Sequence, residues 1–427
     1  MSYNGKHPAQ LAAELDAVLG DLGRKAGLGA LSVGLDIGGS RAVLAYGPGG
    51  EPIVDGPRPV FNIGCLTDLI VAVLCLDLHH RAGLDLDAPV ASLLPELGRD
   101  DGAEPMRVRH LLTRTGGLQD PRSIDEMREL QDWADIAGRV QAAPRLFSPG
   151  AVFNYGGVDR IALTQLIERY SGKSMTALAK EVILEPLGVP LREDQLGPAG
   201  PDGHRVIARF DAPDFAGIVA QLAREDADDL ANPFGRGLRY YLQGERLQLS
   251  RSIRVPPWPH APTAFTLGLF KYSDGLIGFN GWDRGHACAA RFDPIAQTSF
   301  VVGLDGPPTI RDVIVGEIAD LLGYGSLQSR AVPCTVGGLN GLTANDVIGD
   351  YEGWADGYRA TVAMDRDLVL CDLSYRGETF RQLQARLEDE AWLVSDSIAE
   401  GSALEFFRDP VSGRVGMASG YLPYARL

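Results

Sequence analysis

The sequence lacks any run of about 18 uncharged apolar residues, so no membrane-spanning helix is predicted. It also lacks basic excess: 40 Lys and Arg stand against 56 Asp and Glu, a formal charge of −16. That balance excludes the basic footprint needed to hold nucleic-acid phosphates and disfavours an anionic membrane surface. Cysteine is sparse. Cys65, Cys75, Cys288, Cys334 and Cys371 are odd in number, scattered and free of CxxC spacing, which points to reduced thiols and a cytoplasmic protein. The seven His form no HxxxH or HExxH pattern, and adjacent His79 and His80 point in different directions on a helix. No metal site and no cofactor are therefore expected. The N-terminal stretch "MSYNGKHPAQLAAELDAVLGDLGRKAGLG" has no long apolar core and carries Glu14, Asp16 and Asp21, unlike a secretory signal. Internal repeats and low-complexity segments are missing too.

What is present is an ordinary folded composition, 45% hydrophobic and 22% charged, in a chain of 427 residues that is long enough for two or three compact units. Residues 8 to 26 read as a helix with Leu11, Leu15, Leu19 and Leu22 on one face and Gly27 as its stop. "GALSVGLDIGGSRAVLAYG" gives two strands around Gly38, Gly39 and Ser40. Helical patterns dominate from 65 to about 190, including Leu66 to Leu78, a helix near Ile124 to Val140, and "DRIALTQLIERYSG". Strands return in "AFTLGLFKY", "GLIGFNG" and "TSFVVGLDG", followed by a helix at about 309 to 322. This order predicts one sheet interrupted by a helical insertion. Residues 345 to 427 alternate apolar and polar between turn residues, as a small antiparallel β unit does.

Six segments, "FNIGCLTD", "GLDLDAPVASLLPE", "RVRHLLTRTGGL", "FSPGAVFNYGGVDRIALTQLIERYSGKSM", "EPLGV" and "GFNGWDRGHACAARFDP", occur in one order over residues 30 to 325. In this the chain resembles the serine β-lactamase and penicillin-binding-protein superfamily, especially its class C, esterase and D-aminopeptidase-like branch. The resemblance implies an α+β fold over residues 1–335, an antiparallel sheet flanked by helices beside an all-helical subdomain at about 80–215, with the site between them. It also implies a lipocalin-like antiparallel β-barrel at 345–427.

The catalytic letters of that family are changed. Its S-x-x-K motif holds a Ser nucleophile and a Lys one turn later; here the frame holds Cys65 and Asp68. Its Y-x-N motif reads Tyr155, Gly156, Gly157, and its K-T-G or H-x-G motif reads Phe279, Asn280, Gly281. Where "HTSG" usually follows, Arg114, Thr115, Gly116 and Gly117 stand. Replacement at separate motifs points away from ordinary β-lactam or D-peptide hydrolysis. Thiols at helix N-termini tend toward thiolate, whereas a carboxylate one turn away opposes a like charge. The two effects run against each other at Cys65.

Three readings follow for a small-molecule substrate or ligand. In the first, Cys65 attacks a carbonyl, Tyr155 or Asp68 handles the proton, and backbone N–H groups of Cys65 and of the strand at Gly281 or Trp282 receive the oxyanion. In the second, Asp68 and Tyr155 perform acid–base chemistry such as isomerisation or cyclisation without a covalent step. In the third, the cleft only binds a ligand or protein partner. Substrate contacts are expected from Phe279, Asn280, Gly281, Trp282, Arg114 and Gly157, with the planar fork of Arg114 suited to a carboxylate. Each residue also has a structural explanation: Cys65 as a buried filler, Asp68 as a helix-dipole partner, Tyr155 as packing, and His286 with Cys288 as a structural pair. The frame residues Gly64, Pro149, Gly150, Gly278 and Gly281 remain, and the replacements are chemically capable groups. That combination favours a site rebuilt for a metabolite bearing an acyl or carbonyl group, as in specialised biosynthesis.

Overall fold

A computed structural model describes residues 8–99, 104–121, 133–189, 196–199, 205–207, 209–223, 262–272, 274–324, 339–388, 392–394, 404–419 and 422–427. The first helix, Pro8–Ala26, buries Leu11, Leu15 and Leu19 completely, and Gly27 ends it at φ +64°. Strands Leu31–Ile37 and Ser40–Tyr46 form a hairpin in which Ile37 faces Ser40. Gly38 and Gly39, at φ +56° and +86°, are the two loop residues, the double left-handed geometry of a type I′ turn.

That hairpin closes one edge of a seven-stranded antiparallel sheet. The spatial order is Ser40–Tyr46, Leu31–Ile37, Thr298–Asp305, His286–Asp293, Ile277–Asp283, Phe270–Tyr272 and Pro262–Phe265. The sequence-distant strands are thus neighbours, and the intervening helices form an insertion, as the element order predicts. One sheet face packs Val33, Leu35, Ala289, Phe300 and Val302 against the helices Pro8–Ala26 and Pro308–Leu321. The other packs Phe279, Cys288, Ala290 and Val301 with Phe61, Leu66 and the inserted helices.

Among those helices Thr67–Ala82 is central: Asp68 through Leu78 are all buried, so it is apolar nearly all round, the pattern of a core helix. It extends beyond the expected Leu78 to Ala82, where left-handed Gly83 caps it. Of the helix expected near 124 to 140, Trp133–Ala142 is described, and its expected start lies outside the described residues. No described helix is long and apolar enough to cross a membrane.

The C-terminal region is an eight-stranded, wholly antiparallel sheet that curls around Tyr351, Val362, Cys371, Phe406, Met417 and Tyr424. Its order among the described residues is open, with Trp392–Val394 and Leu404–Arg408 at the two edges. The antiparallel β unit expected from alternation is therefore present as a curled sheet. It joins the rest of the chain along a dry seam in which Leu146, Phe147 and Val152 meet Phe407, Ala418 and Ala425. Asp409 Oδ2 accepts the Ser148 N–H at 2.8 Å beside that seam.

The segment Ile63–Leu66 crosses strand Ile277–Asp283 at main-chain contact. A Cβ on Gly281 would overlap the Ile63 carbonyl oxygen and lie 3.3 Å from the Leu66 nitrogen. Gly64, at φ +50°, approaches Trp282 so closely that a Cβ would lie 2.5 Å from its carbonyl oxygen. Gly281→Ala is expected to lower stability by about 1–3 kcal/mol through overpacking, read as a lower urea midpoint. Gly138→Ala, in open space on the helix Trp133–Ala142, should hold or raise that midpoint because Ala is the better helix former.

Candidate active site

The approach to Cys65 is fixed from the sheet. His286 Nδ1 accepts the Asn62 N–H at 2.9 Å, and Cys288 Sγ donates to the Asn62 carbonyl at 3.3 Å. The His286 ring stands edge-on to Phe61, with centroids 5.8 Å apart. These two residues share a strand face and hold the segment that leads into the site, which is a structural role. A 3₁₀ turn, Gly64–Leu66, then enters helix Thr67–Ala82, with Thr67 Oγ1 donating to the Gly64 carbonyl at 2.9 Å. Cys65 is left half-buried where the helix begins.

One turn on, Asp68 is 6% exposed and faces two guanidinium groups. Arg114, 5% exposed, donates from Nη2 to Asp68 Oδ2 and from Nη1 to the Gly156 carbonyl. Arg160 Nε lies 3.4 Å from Asp68 Oδ1, an ion pair without hydrogen-bond alignment. Burial works against the Arg114 charge, but Asp68 first, then Tyr155, Asp159 and Cys65, more than offset it and raise its pKa. Arg114 adopts φ +55°, a sparsely populated conformation for a side chain of this size. That strain persists because its side chain ties three separate segments together.

Tyr155 completes the cluster. Its ring and Cys65 pack against the same core cluster, and the Arg114 guanidinium carbon lies 5.1 Å from the ring centre. Burial, then negative charge at Cys65 and Asp68, hold the phenol well above the usual tyrosine range, against the opposing pull of Arg114. Behind the ring stand Phe270 and Phe279, at centroid distances of 6.0 and 6.3 Å, joined through Phe265 to Phe153.

Strand alternation divides the third motif. Phe279 and Gly281 face the side of Cys65 and Tyr155. Asn280 turns to the opposite face, where its Oδ1 accepts from Arg291 Nη2 at 2.7 Å. Arg291 is itself buried, donates to the Phe279 carbonyl at 3.0 Å and lies over Tyr272 at 3.6 Å. Trp282 shares the parity of Asn280 and is 55% exposed; only its backbone meets the Cys65 turn. Cys65, Asp68, Arg114, Tyr155, Phe279 and Gly281 thus converge, while the side chains of Asn280 and Trp282 do not join them and Gly157 turns its N–H to Asp120.

Three polar residues that the sequence reading missed hold this cluster. Asp120, fully buried, accepts the N–H groups of Gly157 at 2.5 Å and Val158 at 3.0 Å, at the start of helix Val158–Ser171. Asp159 Oδ2 accepts the Gly116 N–H at 3.1 Å. Asn154 accepts from Gly156 at 2.9 Å and donates to the Leu118 carbonyl at 3.1 Å. Gly157, at the position of the family Asn, therefore commits its N–H to Asp120. Burial pushes the Asp120 carboxyl up to about 6 and that of Asp159 up to about 7, with backbone donors offsetting only part of the effect.

A β-lactamase family profile matches residues 19–324, well over half of the chain. The chain belongs to the β-lactamase family. Within it, Esterase EstB of Burkholderia gladioli is 30% identical over 251 residues, 54% of this chain and 61% of that protein. The chain thus matches less than two thirds of that relative's length. Among solved structures, SurE covers 98% of this chain and 99% of its own at 21% identity and a TM-score of 0.73. The octameric penicillin-binding protein homologue from Pyrococcus abyssi covers 97% and 100% at 18% identity and 0.59. These structural likenesses speak to fold, and they extend over nearly the whole chain.

Arg114→Met would leave Asp68 buried beside only the half-exposed Arg160, and a loss of about 3–5 kcal/mol is expected in urea unfolding. Asp68→Leu combined with Arg114→Met should lose less than Arg114→Met alone. A second expectation concerns pH. With folded pKa values raised above the ordinary 3.8, Asp120 and Asp159 bind more protons in the folded state between about pH 4 and 7. Their contribution to stability is present below that window and is lost as pH rises through it. Asp159→Asn should therefore show a smaller fall in stability than the parent between about pH 4.5 and 7.5.

Proposed function

We propose that this member of the β-lactamase family is a thiol-dependent acyl-transfer or hydrolytic enzyme acting on a small acyl-bearing molecule, cytoplasmic and cofactor-free. The convergence of Tyr155 with Cys65 on one packed cluster, Cys65 standing at the family's nucleophile position, carries the reading. Cys65 Sγ attacks the acyl carbon and the bond to the leaving group breaks, giving a thioester. The thiol proton passes through the Tyr155 phenol to the departing oxygen or nitrogen. The phenol is protonated at neutral pH and can pass its own proton on as it receives that of the thiol. Water or another acceptor then attacks the thioester and restores the thiol. Backbone N–H groups of Cys65 and of the strand at Gly281 or Trp282 would receive the oxyanion.

Asp68 directs its carboxylate at Arg114 and Arg160, which favours the thiol route over Asp68 acid–base chemistry. The esterase name of the Burkholderia relative supports acyl chemistry in general. Its substrate is not carried over. For the C-terminal curled sheet we propose a lipocalin-like β-barrel fold. A binding-only cleft is the rival reading, favoured by the buried aromatic cluster where the family keeps a cation or imidazole at the position of Phe279.

Across a panel of p-nitrophenyl esters and acyl thioesters, Cys65→Ala should lose turnover by at least about 10³-fold. Iodoacetamide should modify Cys65 faster than Cys75, Cys288 and Cys371, whose thiols burial pushes up. Full turnover in Cys65→Ala would overturn the thiol mechanism, and binding of panel members without any turnover in the parent would favour the rival.

A further inference from the structure

The C-terminal sheet meets the loop that carries Asp120 at main-chain level. Asp120 is held by its main chain on both sides: its N–H donates to the Trp354 carbonyl, and its own carbonyl accepts the Asp356 N–H, both at 2.9 Å. Gln119 adds a bond from Nε2 to the Gly353 carbonyl, also at 2.9 Å. All three partners lie where strand Gly349–Gly353 runs into its turn. The Asp120 side chain then points away from the sheet and receives the N–H groups of Gly157 and Val158. Tyr155 stands two residues before Gly157. Between them, Gly156 passes so close that a Cβ would lie 2.6 Å from Asp120 Oδ1, and its carbonyl is held by Arg114.

A carboxylate that served only to cap a helix would need no such fixation of its own backbone by a distant part of the chain. We propose that Asp120 is a positioning residue through which the C-terminal sheet sets the placement of Tyr155 against Cys65. The proposal rests on reading Cys65 and Tyr155 as the reacting pair. Displacing the Asp120 backbone shifts the Gly156–Val158 turn and, with it, the Tyr155 phenol on the side of Cys65. The sheet thereby acts on the site without contributing a side chain to it.

The turn beyond Trp354 permits a narrow test. Tyr358 N–H donates to the Ala355 carbonyl at 3.1 Å, and Gly357 has φ +85°, so Asp356 occupies the second position of a type II turn. Proline suits that position, and Ala355 lies in an extended bridge with Asp120, as a residue before proline prefers. Asp356→Pro therefore removes the N–H that bonds Asp120 while keeping the turn. The rate of Cys65 alkylation by iodoacetamide is expected to change at least about threefold, the scale of one perturbed hydrogen bond, with the urea midpoint unchanged. In a Tyr155→Phe background the same substitution should have little further effect, which a merely structural role would not produce.

An unchanged alkylation rate, or effects that simply add in the double variant, would overturn the proposal. If Asp356→Pro lowers the urea midpoint, Gln119→Leu, which removes a neighbouring bond across the same seam, is judged by the same two criteria. Retained turnover in Cys65→Ala would instead count against the catalytic reading alone, because alkylation reports the coupling whether or not Cys65 turns over a substrate.

Discussion

A carboxylate on the central helix of a packed domain needs a counter-charge, and Arg114 supplies it to Asp68. The pair lies almost wholly out of water, where the attraction between the two groups must offset the desolvation of both. Its importance is architectural. Asp68 sits on helix Thr67–Ala82, Arg114 on the loop after the short helix Val108–Leu112, and the second guanidinium bond runs to Gly156 beside Tyr155. One buried cation therefore fixes the relative placement of the three segments that carry the site. The Gly156 carbonyl, next to Tyr155, is held by that same cation.

Seen against the family arrangement, positive charge has moved rather than vanished. The helix position that carries Lys in relatives is acidic here, and the third-motif position is Phe279. Two arginines from different elements approach the acid in compensation. Around Cys65 this leaves a phenol, a clamped guanidinium and an aromatic wall, a setting quite unlike that of a Ser–Lys pair. A thiol, softer and more acidic than a hydroxyl, needs less activation to act as a nucleophile, which fits the loss of the Lys.

Much of the scaffold was legible because it is encoded locally. Leu11, Leu15 and Leu19 recur at helical spacing, Gly38 and Gly39 mark a two-residue turn, and the uninterrupted apolar run from Leu69 to Leu76 belongs to a buried helix. The convergence of Cys65 with Tyr155 followed from motif order. Other features were out of reach because their partners are distant in sequence. Asp68 and Arg114 are 46 residues apart, and Asp120 binds a turn 37 residues away while its backbone pairs with residues past 350. The face of Asn280 was not legible because, flanked closely by Gly278 and Gly281, its strand offers little apolar alternation from which to read parity. Its partner Arg291, on the neighbouring strand, decides its direction.

The glycine crossing beneath Cys65 has a wider meaning. Where Gly64 and Gly281 let two backbones touch, the reactive position rests on a joint of peptide groups, braced by the His286, Cys288 and Thr67 side chains. The residue mounted there can change without moving its support. Such a socket separates chemistry from framework: the side chain at position 65 is carried by a joint to which it does not itself contribute.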